Sequence, residues 1–319
     1  MGALFLIVQI FSFCSDLKKI RNFFIKNKIV CFGETLWDHF PNGKEVGGAP
    51  LNVAVRASSL GSETAIISKI GNDEEGKHII EFLKDKNVDT RYIQIDSALT
   101  TGKVKVEVNE KGSANYEIVQ PSAWDNIEIT PENIALVQSS SAFIFGSLTF
   151  RDKVSKQTLV DLLPHAHFKV FDVNLRPPFY DINTLKTFMQ IADFIKFNDD
   201  EMYELATDLG SNFNSLNQNI IFISEKMKTP TICVTKGKHG AVLYSHGKFY
   251  YNSGFNIKVV DTVGAGDSFL ATLIKGIVNN EDLHKALNMA CAVGALVAGQ
   301  KGATQNILTA NLHRFMGIN

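Results

Sequence analysis

The chain is short of the features that mark specialised classes of protein. Its four cysteines, Cys14, Cys31, Cys233 and Cys291, stand far apart in 319 residues and form no Cys-x-x-Cys pair. That usage points to buried free thiols in a reducing cytoplasm rather than to a disulfide or metal framework. No charge of one sign dominates. Lys+Arg number 32 and Asp+Glu 33, a formal net charge of -1, so neither a nucleic-acid footprint nor an acidic solvating arm is present. His-Glu-x-x-His is missing, and His165 and His167 have no third ligand in view, so they read as surface or core histidines. The chain has no Gly-x-x-x-x-Gly-Lys-Ser/Thr, which excludes a P-loop, and no Gly-x-Gly-x-x-Gly after its first strand, which argues against a dinucleotide fold. It also lacks internal repeats, low-complexity linkers and any apolar run long enough for a transmembrane helix. Met1 to Phe13 is apolar, but its basic residues follow the run and Phe13 stands where a signal peptide needs a small residue. Residues 1–26 therefore read as an extension ahead of a domain spanning 27–319, with a membrane tether as the alternative.

What is present is ordinary for a globular enzyme: 45% hydrophobic and 20% charged residues. Short apolar strands are expected at Lys28 to Gly33, Thr64 to Ile70, Ala142 to Phe145, Lys169 to Val173, Phe194 to Phe197 and Thr231 to Thr235. Helical stretches fall between them at Leu51 to Leu60, Asp73 to Lys86, Lys153 to Leu163, Thr184 to Ile191 and Asp199 to Leu209. Repeated β–α units predict an α/β fold with a mostly parallel sheet covered by helices on both faces. One stretch departs from this. Gly102 to Val108 alternates charged and apolar residues, turns at Asn109 to Ser113 and returns at Asn115 to Val119, a hairpin with one wet and one dry face. Joined by strands from Trp37 to Val46, it predicts a small β-sheet lid built from about 37–48 and 100–120.

Asp261 to Phe269 (DTVGAGDSF) is the most informative segment. Gly264, Ala265 and Gly266 precede an apolar helical run, Phe269 to Val278. Small residues at a helix start expose consecutive N–H groups where the helix dipole adds positive charge, an anion hole for a transferring phosphoryl group. Asp267, in the first helical turn beside that hole, is placed to accept a proton from a hydroxyl. The competing reading is a glycine-rich turn whose Asp caps the helix.

DTVGAGDSF resembles the C-terminal signature of the ribokinase/PfkB carbohydrate kinases, and Gly47 to Ala54 (GGAPLNVA) resembles their upstream signature. The resemblance runs from about Lys28 to the end and implies a ribokinase-like fold. It implies Asp267 as catalytic base and the N–H groups of Gly264, Ala265 and Gly266 as anion hole, with Gly47 and Gly48 as the hinge of the lid. It further implies sugar contacts from Asp38, Asn52 and Arg176, the last in DVNLRP. Asn198 and Glu201 match an Asn-x-x-Glu linked to Mg²⁺ and phosphate. Thr235, Gly237 and Gly240 match a nucleotide loop, with Asn288 near the adenine. Asp261 and the loop at Gly302 to Thr304 correspond to a site for a monovalent cation such as K⁺.

The expected activity is transfer of the ATP γ-phosphoryl to a primary sugar hydroxyl. D-Fructose is favoured because GGAPLNVA with DVNLRP is more fructokinase-like than ribokinase-like. 2-Keto-3-deoxygluconate, ribose and a nucleoside are the other substrates in view, and a catalytically silent sugar-binding regulator is the reading from another class. A cytoplasmic homodimer joined through the lids is expected, with no nucleic-acid or membrane partner.

Overall fold

The computed structural model describes residues 27–40, 43–108 and 114–317. The expected extension at 1–26 and the turn at 109–113 lie outside the described residues.

The main sheet has nine strands. In chain order they are β1 (Lys28–Phe32), β4 (Glu63–Gly71), β5 (Ile93–Asp96), β8 (Ala142–Gly146), β9 (Lys169–Asp172), β10 (Phe194–Asn198), β11 (Thr231–Thr235), β12 (Ala241–Ser245) and β13 (Lys248–Asn252). Their spatial order is β13-β12-β11-β10-β9-β8-β1-β4-β5. All neighbours from β5 to β11 run parallel, and β12 and β13 close the far edge antiparallel. The chain leaves β1 toward β4 and later returns on its other side with β8. Such a reversal opens a crevice at the carboxyl ends of the two strands, where ligands of open α/β sheets bind.

Strand alternation divides the core between the two faces of the sheet. Val30 and Phe32 of β1 join Phe143 and Phe145 of β8 in one buried cluster, while Ile29 and Cys31 join Ala142 and Ile144 in the other. The first face is covered by α3 (Pro131–Gln138), α4 (Lys153–Leu162), α5 (Ile182–Ile191), α6 (Asp199–Asp208) and α7 (Leu216–Met227). The second is covered by α1 (Ala49–Ser59), α2 (Glu74–Asp85), α8 (Ala265–Val278) and α9 (Leu283–Ala298). A short α10 (Thr309–Phe315) follows. Cys31, Cys233 and Cys291 are free and buried, as their apolar surroundings predict.

The hairpin expected from alternation is present as β6 (Gly102–Val108) and β7 (Ala114–Ile118). With β2 (Leu36–Phe40) and β3 (Gly43–Gly47) it forms a separate sheet ordered β3-β2-β6-β7. This sheet is fastened to the body at one carboxylate. Glu75, in the first turn of α2, meets Lys44 of β3 at 2.8 Å, Lys103 of β6 at 2.9 Å and His39 of β2 at 3.2 Å. Trp37 Nε1 donates to the Glu75 carbonyl at 3.0 Å. Among the described residues no helix is long and apolar enough to cross a membrane.

Candidate active site

Four parallel strands deliver polar residues to one edge of the sheet: β1 leads to Glu34, β9 ends at Asp172, β10 ends at Asn198 and β11 ends at Thr235. Helix α8 starts over the same edge. Its N-cap, Gly264, has φ 72°, and Ala303 Cα would lie 2.6 Å from a Cβ there, so both backbone and space require glycine. Ala265 N–H turns to Thr262 O at 3.2 Å. The N–H groups of Gly266 and Asp267 have no acceptor among the described residues and remain as orphan donors of the helix start.

Asp267 is the third residue of α8 and half-buried, and Asn52 Nδ2 of α1 donates to its Oδ2 at 2.8 Å. Loss of hydration pushes its carboxyl up to about 6, helped by the charge of Asp172, while the Asn52 hydrogen bond, Lys196 and Arg176 oppose the rise. Lys196 lies behind this group. It is 6% exposed, its Nζ sits 2.7 Å from Asp172 Oδ1, and it comes within 3.6 Å of where a side chain at Gly266 would begin. Burial works against its charge, but Asp172, Glu201 and Asp267 outweigh burial and hold it protonated.

On the side of the small sheet, the Asp38 carboxylate rests against Gly47. Burial lifts it to about 6, with Glu45 and Asp267 adding to the effect and Arg176 opposing. Glu34 is buried more deeply, and its carboxyl rises to about 7 for the same first reason. Ala49 N–H donates to Glu34 Oε1 at 3.2 Å, while Oε2 is buried without a partner. Between β3 and α1 stands Gly48, with φ 112° and the Glu34 carbonyl 2.5 Å from where a Cβ would be. Arg176 is exposed, and Glu34, Asp38 and Asp267 all feel its charge.

Beyond Gly266 opens a cleft of about 460 Å³. Asn198, Thr235, Gly237 and Gly240 form one wall, and Cys291 and Ala295 of α9 form part of the other. Asn288 is not among the lining residues; its Oδ1 accepts from Asn252 Nδ2 at 2.8 Å. Asn198 and Glu201 form a capping box for α6, and the Glu201 carboxylate accepts from the N–H groups of Asn198 (2.8 Å) and Leu175 (2.9 Å). Asp261 accepts from the N–H groups of Val263 and Gly302, both at 3.0 Å, and so ties the loop before α8 to the 302 loop.

The model of the pfkB family carbohydrate kinases matches residues 19–310. The chain belongs to that family. It is 31% identical over 271 residues to the sugar kinase PH1459 of Pyrococcus horikoshii, covering 82% of this chain and 83% of that protein. The structure of PH1459, described as an uncharacterized sugar kinase, superposes with a TM-score of 0.78 over 91% of this chain and 99% of that one. Fructokinase-2 of Solanum lycopersicum is 30% identical over 322 residues, 89% of this chain and 94% of its own. A Xylella fastidiosa fructokinase with bound ATP shares the fold at a TM-score of 0.82 and 21% identity, covering 92% of this chain and 98% of that one.

Within this carbohydrate kinase, Asn52 is bonded to Asp267, Asp38 rests against Gly47 and feels the charge of Asp267, and Thr235, Gly237 and Gly240 line the cleft. The motifs assigned no role to Lys196, Asp172 or Glu34. A signal for the first was present: Lys196 is a lone cation in the apolar strand FIKFN, at a position that faces inward. A charge there must find a partner or be expelled, and the end of the neighbouring strand supplies Asp172.

Proposed function

We propose that the kinase transfers the γ-phosphoryl of ATP to the primary hydroxyl of a neutral sugar, with D-fructose converted to its 6-phosphate as the leading case. The carrying observation is Asp267: a half-buried carboxylate that accepts from Asn52, at the start of α8 where the N–H groups of Gly266 and Asp267 have no acceptor among the described residues. In this reading the sugar hydroxyl gives its proton to Asp267 as its oxygen bonds to the γ-phosphorus and ADP departs. The N–H groups of Gly266 and Asp267 and the Lys196 ammonium receive the charge that spreads over the phosphoryl oxygens. Asn52 Oδ1 and Glu34 Oε2, both buried without partners, offer acceptors to sugar hydroxyls. Thr235, Gly237 and Gly240 take the nucleotide.

Magnesium fits this site as a companion of ATP. Among the described residues no cluster of three His, Cys, Asp or Glu could hold a metal ion, and both Glu201 oxygens already serve backbone N–H groups. Mg²⁺ keeps most of its waters, so Glu201 and the unpartnered Asp172 Oδ2 would reach it through them. Bound there with the nucleotide, it would supply positive charge to offset that of the phosphates. A monovalent cation near Asp261 would depend on loop carbonyls, because the carboxylate already accepts two N–H groups. The small sheet serves as a lid, and its edge strands β3 and β7 support a cytoplasmic homodimer joined lid to lid, whose mass light scattering at micromolar concentration tests.

Charge separates the substrates. Arg176 would suit a sugar acid such as 2-keto-3-deoxygluconate, yet Glu34, Asp38, Glu45 and Asp267 surround the same space. A substrate carboxylate would enter a region already rich in negative charge, which favours a neutral sugar. An assay of ADP release with fructose, ribose, 2-keto-3-deoxygluconate and adenosine tests the reading. No turnover with any of them would end it in favour of a silent binder.

A further inference from the structure

Arg56 has no part in the chemistry above, yet it is among the largest side chains the fold buries, at 2% exposure in the third turn of α1. Burial lowers its pKa to about 10, which leaves it protonated near neutrality. Its hydrogen-bond partners among the described residues include no carboxylate. Arg56 Nε donates to Ser268 Oγ at 3.0 Å, Nη2 to the Gln305 carbonyl at 2.8 Å, and Nη1 reaches Ser59 Oγ at 3.5 Å. A buried cation is costly unless paired, and an apolar side chain of similar volume would fill the space more cheaply. What the guanidinium adds is reach: its rigid fork joins separate segments with fixed directions.

Those segments are the ones that shape the proposed phosphoryl site. Asn52 and Arg56 lie one helical turn apart on the same face of α1, and they hold consecutive residues of α8, Asp267 and Ser268. Gln305 belongs to the segment whose Gly302 N–H donates to Asp261 and whose Ala303 packs against Gly264. Arg56 is therefore bonded to both sides of the turn that presents Gly264 to Asp267.

We propose that Arg56 is a positioning residue for phosphoryl transfer, locking the first turn of α8 between α1 and the 302–305 segment. The proposal rests on the kinase reading above. A displacement on the order of 1 Å at the reacting groups costs about 10²-fold in rate, so Arg56→Met should lower kcat by about 10- to 100-fold. KM for fructose and for ATP should stay within about threefold, because neither is touched by the side chain. Arg56→Lys, which keeps the charge but not the fork, should recover only part of the loss. Ser268→Ala removes a single acceptor and serves if the Met variant fails to fold; it should lower kcat by about three- to tenfold.

Hydrogen exchange reads the same lock without turnover: amides at 264–268 and 302–305 should lose protection in Arg56→Met while those of the main sheet keep theirs. A wild-type protein inactive on every sugar tested, with that local loss still seen, removes the kinase reading and leaves the lock. A folded Arg56→Met with kcat within twofold of wild type, or with protection unchanged in both segments, overturns the proposal.

Discussion

Asn52 Nδ2 donates to Asp267 Oδ2 at 2.8 Å across 215 positions of sequence. The bond joins the two signature motifs into one device. It fixes the carboxylate that is proposed to take the proton, and it leaves Asn52 Oδ1 as an unpartnered acceptor. A hydrogen bond to a charged group contributes about 1.5–3 kcal/mol, which here opposes the burial that lifts Asp267.

The base is tested by Asp267→Asn, which keeps shape and removes basicity. Turnover should fall by roughly 10²–10⁴, with fructose affinity changed only a few-fold. Stability should move the other way. The folded pKa of about 6 lies above the ordinary 3.8, so between those values the folded state holds more protons than the unfolded chain. The contribution of this group to stability is therefore fullest below pH 4, declines as pH rises through 4–6, and stays reduced above. Asp267→Asn should melt higher than wild type at pH 8, with the gain vanishing near pH 4. Equal melting at both values would mean the carboxylate is better solvated than its burial implies.

The same shift sets the acid limb of activity. A base with an ordinary carboxyl pKa would work down to about pH 4, but kcat/KM for the sugar should fall off below about 6. Asp38, at about 6, and Glu34, at about 7, titrate in the same site, so the limb reports the group rather than one residue. Glu34→Gln should shift the midpoint downward and make it sharper. A pH–rate profile flat to pH 5 would exclude a raised base.

Much of this was legible in the sequence, and the remainder fails for physical reasons. The β–α alternation announced the parallel sheet, and charge alternation in GKVKVEV announced the hairpin. Strand β13 went unseen because KFYYN carries no clean period, and α3 because eight residues are too few to display one. The place of Asp267 was readable because small residues and an acid mark a helix start locally. Glu34 was not, since its meaning comes from Ala49 and from charges far along the chain. Asn288, expected near the adenine, shares a helix with the cleft-lining Cys291 and Ala295, and its Oδ1 accepts from Asn252.

The fastening of the small sheet gives a third test. Glu75 gathers Lys44, Lys103 and His39 from three strands of that sheet, and its carboxyl stays low despite burial because the two lysines bind it. Exposed pairs contribute little singly, and networks contribute more. Glu75→Gln should loosen the lid and raise KM for the sugar about three- to tenfold, with a smaller change in kcat. Added salt should mimic the variant in wild type. An unchanged KM would place the lid under the control of its apolar contacts alone.

The substrate choice rests on Arg176 and its neighbours. A lone guanidinium in a neutral pocket would select a sugar acid, but here Glu34, Asp38 and Asp267 share its charge. A site that pairs buried polar groups with particular hydroxyls rejects analogues lacking them by up to about 10⁴–10⁵. In a panel with Mg-ATP, D-fructose should therefore show the highest kcat/KM, ahead of ribose, 2-keto-3-deoxygluconate and adenosine. Arg176→Ala should depress fructose turnover, because the carboxylates then repel both one another and the incoming nucleotide. Glu34→Gln should relax discrimination toward the sugar acid by removing one of the charges that oppose it. If 2-keto-3-deoxygluconate is the best substrate of the wild-type enzyme and Arg176→Ala abolishes that preference, the guanidinium is free to bind a substrate carboxylate. The neutral-sugar assignment would then give way, while the roles of Asp267 and Asn52 would stand.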